Sequence, residues 1–155
     1  MKLFCRIIST GLGIGYFPIA PGTMGALEIL ILYWIAPTFT PIQLIVIILV
    51  LSALGIYTAT ITEKEISHKL GPAEGKDPGI IVIDEIVGML VALVFVPKTI
   101  TFLIIAFILF RIFDIVKPFP IRKIENLHSG WGIVLDDIFA GIYANLVIQL
   151  GRLIF

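Results

Sequence analysis

The sequence predicts an all-α protein, a polytopic helical bundle embedded in a membrane, with four long spans preceded by a short or re-entrant helix. Two observations carry that prediction. Of the 155 residues, 59% are apolar with glycine left out and 14% are charged, whereas a typical soluble domain has about 45–50% apolar residues with glycine included and about 25% charged. The apolar residues also run in four windows close to the roughly 20 residues that cross a bilayer core of about 30 Å as helix. The mean hydropathy of +1.10 agrees, since a soluble chain of this size would lack the polar surface to cover so much apolar side chain. The whole chain, 1–155, is expected to form one membrane-embedded domain.

Met1–Thr10 carries Lys2 and Arg6 among apolar residues. Arg6 interrupts the run and Gly11, Gly13 and Gly15 follow, so no apolar core of signal length exists; the segment reads as a short amphipathic helix on the membrane surface. Cys5, the single cysteine, cannot form an internal disulfide. Met24–Ala36 is short and contains Glu28, as suits a tilted, half-buried or re-entrant helix. The long windows are Ile42–Ile61, Ile80–Val96 with Asp84 and Glu85, Ile100–Val116 with Arg111 and Asp114, and Ile133–Phe155 with Asp136, Asp137, Asn145 and Arg152. Prolines mark the joints at Pro37 and Pro41, at Pro97, and at Pro118 and Pro120. Asp77-Pro78 suits the N-cap and first turn of the third long helix. The stretch Thr62–Gly79, with charges of alternating sign, reads as a solvated loop.

Connections rich in Lys and Arg lie on the cytoplasmic side. Lys64, Lys69 and Lys76 follow the first long window and Lys117, Arg122 and Lys123 the third; the turn at Pro37–Pro41 has no base and that at Pro97–Thr99 only Lys98. If the short first helix crosses, this alternation predicts a cytoplasmic N-terminus and a C-terminus on the far side; it brings Asp84, Glu85, Asp114, Asp136 and Asp137 to one depth, just inside the cytoplasmic face.

Carboxylates in hydrocarbon cost several kcal/mol unless paired, protonated or bound to a cation. Arg111 and Asp114, spaced i, i+3, can neutralise each other. Asp84, Glu85, Asp136 and Asp137 are then left with too few buried bases, and a hard divalent cation, Mg²⁺ above all, is the economical counter-charge because it takes oxygen ligands and bridges carboxylates to phosphate. Gly88 and Gly141 follow Asp84 and Asp137 by one turn and permit close approach, as ordinary membrane-helix packing also would. Lys117, Arg122, Lys123 and His128 surround Pro118 and Pro120 at the mouth of the cluster; for Lys123 interfacial anchoring is the better reading. Arg111 suits either a phosphate or its structural pair. Pro21-Gly22-Thr23 is a stiff approach to a helix start whose free N–H groups and Thr23 hydroxyl could receive a phosphate. With equal numbers of acidic and basic residues, 11 each, nothing points to nucleic acid. No zinc spacing, P-loop or nucleophile elbow occurs.

Four stretches, Ser9–Gly25 with PIAPGTMG, Gly79–Met89 with DEIVGM, Phe110–Pro120 (FRIFDIVKPFP) and Asn126–Gly141 (NLHSGWGIVLDDIFAG), resemble the bacterial phosphatidylglycerophosphatase A family, in order and through nearly the whole chain. The resemblance implies a catalytic domain of the bacterial inner membrane, multi-pass and open to the cytoplasm. It implies a Mg²⁺-dependent phosphoric monoester hydrolase that converts phosphatidylglycerophosphate to phosphatidylglycerol in phospholipid biosynthesis. By it, Asp84, Glu85, Asp114, Asp136 and Asp137 are the catalytic acids, with Asp84, Glu85, Asp136 and Asp137 on the metal. By it, too, Arg111, Lys117, Arg122 and His128 are the polar partners of the phosphate; with Thr23, taken from the helix-start reading above, they are the expected substrate-binding residues. The chain lacks the DxDx(T/V) pattern that favours an acyl-phosphate route, and leaves water and carboxylate both open as nucleophile.

Two rivals fit less well. An ion- or proton-coupled transporter would want polar residues along a path through the bilayer, yet the far halves of the helices hold little beyond Asn145, Gln149 and Arg152. A CDP-alcohol phosphotransferase would need a DGxxAR motif that is missing.

Overall fold

The computed structural model describes residues 1–70 and 79–154, and every regular element among them is helical. In chain order these are α1 (Lys2–Ser9), a 3-10 segment (Gly11–Tyr16), α2 (Pro21–Ile35), α3 (Pro41–Leu70), α4 (Ile83–Ala92), α5 (Ile100–Val116), α6 (Ile121–Ile124) and α7 (Gly130–Ile154). Helix α4 is the hub, packed by α2, α3, α5 and α7. Its Ile83, Ile86, Val87, Met89, Leu90 and Ala92 are all buried.

Among the described residues two helices, α3 over Pro41–His68 and α7, are long and apolar enough to cross a bilayer; α2 is apolar but has only 15 residues. Of the expected four long spans, two are thus shown among the described residues. Helix α5 occupies the predicted window with 17 residues. The expected span Ile80–Val96 is a helix of only 10 residues, about 15 Å at 1.5 Å per residue. Ile80, Ile81 and Val82 are β-branched and disfavour helix, and the Val82 N–H donates instead to the Ser9 carbonyl at 2.9 Å. At the other end Phe95 takes a left-handed φ of 60° and Pro97 stops any continuation.

Helix α3 runs nine residues beyond the expected Ile61, because the Glu and Lys residues read as loop are good helix formers and Ile66 is buried. Ser52, Thr58 and Thr60 in α3 return their hydroxyl protons to the carbonyls of Ile48, Leu54 and Ile56 at 2.7, 2.8 and 2.7 Å, so these three hydroxyls are satisfied within the helix. The Asp77-Pro78 cap lies outside the described residues.

Helix α1 buries Cys5 and Ser9 and exposes Leu3, Phe4 and Ile7. The Ser9 and Thr62 hydroxyls, 2.9 Å apart, dock it on α3. The outside of the bundle is as apolar as its inside: Val46, Leu49, Val50 and Leu54 on α3 and Ile104, Ile108, Ile112 and Ile115 on α5 are exposed at helical spacing. Such all-round apolar helices suit a hydrocarbon solvent.

Candidate active site

The site forms where the start of α4 meets the first third of α7. Helices α4 and α7 cross at two glycines. A Cβ on Gly88 would stand 2.6 Å from the Asp137 carbonyl, and one on Gly141 would collide with the Gly88 carbonyl. Only this close approach brings Asp137 beside the two acids in the first turn of α4. Asp84, Glu85 and Asp137 each offer a carboxylate oxygen, and these three atoms lie within 4.8 Å of one another. Asp84 is 7% exposed and Asp137 3%. Glu85 Oε2 and Asp137 Oδ2 are buried without a hydrogen-bond partner.

Neighbouring elements shape the cluster. Gly22, in the first turn of α2, lies against the Glu85 carboxylate, where any Cβ would collide with it. Gly25 faces Val82 one turn on. Thus the Pro21-Gly22-Thr23 approach reaches Glu85 through Gly22, and Thr23 lines a groove with Arg111 of α5. Arg111 on α5 pairs with Asp114 at 2.6 Å and approaches Glu85 at 3.9 Å, while its Nε is buried without a hydrogen-bond partner. Asp114 in turn lies against Asp137. One guanidinium therefore faces two carboxylates, those of Asp114 and Glu85.

The remaining predicted residues separate from this cluster. Asp136 turns away from Asp137, as adjacent residues on a helix must. Its Oδ2 takes a hydrogen bond from Lys117 Nζ at 2.7 Å, and its Oδ1 accepts the Asp137 N–H at 3.0 Å. Lys117, with a left-handed φ of 46°, closes α5 and also pairs with Glu125 at 3.0 Å. Desolvation pulls its ammonium down, but the bonds and charge of Asp136 and Glu125 outweigh it and hold the group above its ordinary value. Lys117 thus works as a clasp between α5, α6 and α7. Arg122 and His128 are exposed; among the described residues no ion pair or hydrogen bond joins either side chain to the acids. Lys123 is exposed as well, its ammonium over the Phe119 ring at 5.1 Å.

Sequence reasoning missed what supports the far end of α4. Asn145 Nδ2 donates to the carbonyls of Ala92 and Val94 at 3.0 and 2.7 Å, Gln149 Nε2 to Val94 at 3.3 Å, and Arg152 Nη1 to Phe95 at 2.8 Å. Residues 145, 149 and 152 stand at i, i+4, i+7, one polar stripe on an apolar helix, and that spacing was the available signal. Their role is to satisfy carbonyls that a short helix ending in apolar surroundings leaves open.

Oxygen is the only ligand type in the acid cluster, and two of its buried oxygens have no hydrogen-bond partner, so Asp84, Glu85 and Asp137 fit a hard divalent cation. Arg111 adds a cation beside them with a fork suited to phosphate.

Comparison with known proteins shows the family of the chain. The family model described as Phosphatidylglycerophosphatase A matches residues 7–152. Two relatives bear the same name. One, from Escherichia coli, is 39% identical over 140 residues, covering 88% of this chain and 77% of the relative. The other, from Haemophilus influenzae, is 37% identical over 146 residues, covering 92% and 85%. A relative from Bacteroides thetaiotaomicron named "Putative phosphatidylinositol-3-phosphatase" is 39% identical over 155 residues, covering 94% and 92%. No solved structure matches the chain. The chain belongs to the phosphatidylglycerophosphatase A family, a family of phosphoric monoester hydrolases.

Proposed function

We propose that this chain removes the terminal phosphate of phosphatidylglycerophosphate, giving phosphatidylglycerol and inorganic phosphate in phospholipid biosynthesis, with Mg²⁺ held by Asp84, Glu85 and Asp137. The observation that carries this reading is the convergence of those three carboxylates beside Arg111 in a chain of this family. When bound there, Mg²⁺ supplies Lewis-acid charge neutralisation at the phosphoryl group. Arg111 holds two phosphoryl oxygens with its planar fork, and Asp114 fixes the direction of that fork. Gly22 and Thr23 bring a helix start, with its free N–H groups, to the same place. The Lys117 clasp keeps α5 and α7 in register, so Arg111 and Asp137 stay at one height. Buried walls exclude bulk water and strengthen each of these interactions.

The chain sits in the bacterial inner membrane as a multi-pass protein with the site open to the cytoplasm. The bases Lys64, Lys117, Arg122 and Lys123 support this, because they gather at the acid end while Lys98 lies at the other, bonded to the Ala36 carbonyl at 2.5 Å. In a Cys5→Ser background, a cysteine at Lys123 should react with an impermeant thiol reagent only from the cytoplasmic side; labelling from outside intact cells would reverse the orientation.

The Bacteroides thetaiotaomicron relative favours a second reading, in which the substrate is a phosphatidylinositol monophosphate. Both lipids carry a phosphomonoester on a glycerophospholipid head. Phosphate release by the purified protein from each, with Mg²⁺ or with EDTA, separates the two readings. Release from phosphatidylglycerophosphate that stops in EDTA is the expected result; release from the inositol lipid alone would replace the substrate, and full activity in EDTA would remove the metal.

A further inference from the structure

We infer that the groove between the start of α2 and the cytoplasmic half of α5 is the seat of an acyl chain of the lipid substrate, through which its phosphomonoester enters the site sideways from the leaflet. The inference rests on the reading of a lipid phosphomonoester as substrate and adds where its apolar part lies. The groove encloses about 400 Å³, and its walls include Thr23 on α2 and Phe107, Ile108, Arg111, Ile112 and Val116 on α5. All but two of these are apolar, and Ile108, Ile112 and Val116 are 51, 47 and 58% exposed, so the groove opens on the outer apolar surface of the bundle.

The two polar residues are what distinguish it. Arg111 reaches from the groove to within 3.9 Å of Glu85 and keeps its Nε without a hydrogen-bond partner, and Thr23 follows Gly22, which abuts the same carboxylate. A phosphate therefore meets a complementary charge at the inner wall while its chain stays among isoleucines and phenylalanine. The larger groove of about 550 Å³ on another side of α5, lined by Phe102, Ile105, Leu109 and Val147, lacks this link. Its only charged residue, Arg152, is already committed to the Phe95 carbonyl and to Gln149. Chain burial contributes about 0.8 kcal/mol per methylene, so obstructing the groove should penalise long-chain substrate and spare short-chain substrate.

Ile108→Trp and Ile112→Trp obstruct it. Ile104→Trp changes an exposed α5 position that lines neither groove and serves as control. For dioleoyl phosphatidylglycerophosphate the two groove variants should lose about tenfold in kcat/KM, mainly through KM, with a soluble short-chain analogue within about twofold of wild type. Ile104→Trp should match wild type on both. Equal losses on both substrates, no loss, or an equal loss in Ile104→Trp would overturn the groove. A second readout needs no turnover: phosphatidic acid carrying a photoreactive acyl chain should crosslink to Ile108–Val116 in the wild type and lose those adducts in Ile112→Trp. Adducts spread evenly over α5 would also overturn it. A wild type that hydrolyses neither phosphatidylglycerophosphate would refute the assigned reaction, and the crosslinking pattern would still decide the groove.

Discussion

The two ends of α4 were built by opposite rules. At its C-terminal end α7 offers Asn145, Gln149 and Arg152, and the carbonyls of Ala92, Val94 and Phe95 all find a donor. At its N-terminal end the same face of α7 offers Asp137, a third carboxylate beside Asp84 and Glu85. A helix start favours one or two acids through its dipole, but a third, buried and in contact with the others, raises the energy of the apo fold. The first arrangement is what stability alone would select. The second makes sense for a ligand whose positive charge completes the cluster, and the contrast on one short helix supports the proposed site without any appeal to the family.

Exchanging an acid for its amide tests that contrast most strongly. Asp137→Asn should lower turnover at least about 10³-fold, roughly 4 kcal/mol of transition-state stabilisation. Its Tm in EDTA should stay level or rise, because one of the crowded buried acids is replaced by a group that cannot ionise. An active variant, or one that melts well below wild type in EDTA, would mean Asp137 is a structural acid. Next in size is Arg111→Lys, which keeps the charge and loses the fork; turnover should fall at least about tenfold, roughly 1.4 kcal/mol. Wild-type kcat/KM in a well-folded Arg111→Lys would reduce Arg111 to the partner of Asp114. At the other end the signs reverse. Asn145→Leu strands the Ala92 carbonyl and leaves that of Val94 with Gln149 alone, and should cost about 1–3 kcal/mol of stability, seen as a lower Tm, with kcat/KM per folded molecule within about threefold. A catalytic loss at unchanged Tm would erase the distinction between the ends. Smallest is Lys123→Gln, a screened surface charge, expected to change turnover less than about twofold.

Much of this molecule was legible in its sequence where local signals suffice. Helix α5 occupies the predicted window because a largely apolar run without glycine or proline lies between Pro97 and Pro118. Helix α4 was overextended because hydropathy marks what is apolar, not what is helical, and Ile80–Val82 is held extended by a partner distant in sequence, the Ser9 carbonyl. The charged end of α3 was read as loop because its helix is anchored by tertiary contacts at Thr62 and Ile66. In the site, the acids themselves were visible as charges in apolar windows. Which of them converge was not, since that depends on the Gly88–Gly141 crossing and on a rotation of about 100° between neighbouring helix positions, which sends Asp137 to the cluster and Asp136 to Lys117. The carbonyl caps escaped notice because the carbonyls they serve belong to a helix end that was placed several residues too late.

The central claim, that the N-terminal end of α4 is completed by a cation, is tested most directly by Mg²⁺ titration of the purified protein in a calorimeter, wild type against Asp137→Asn. The wild type should show saturable binding that EDTA abolishes, and Asp137→Asn, folded and equally pure, should show none above the detergent blank. Equal binding by both proteins, or binding by neither at millimolar Mg²⁺, would contradict the assignment of Asp84, Glu85 and Asp137 as a metal site.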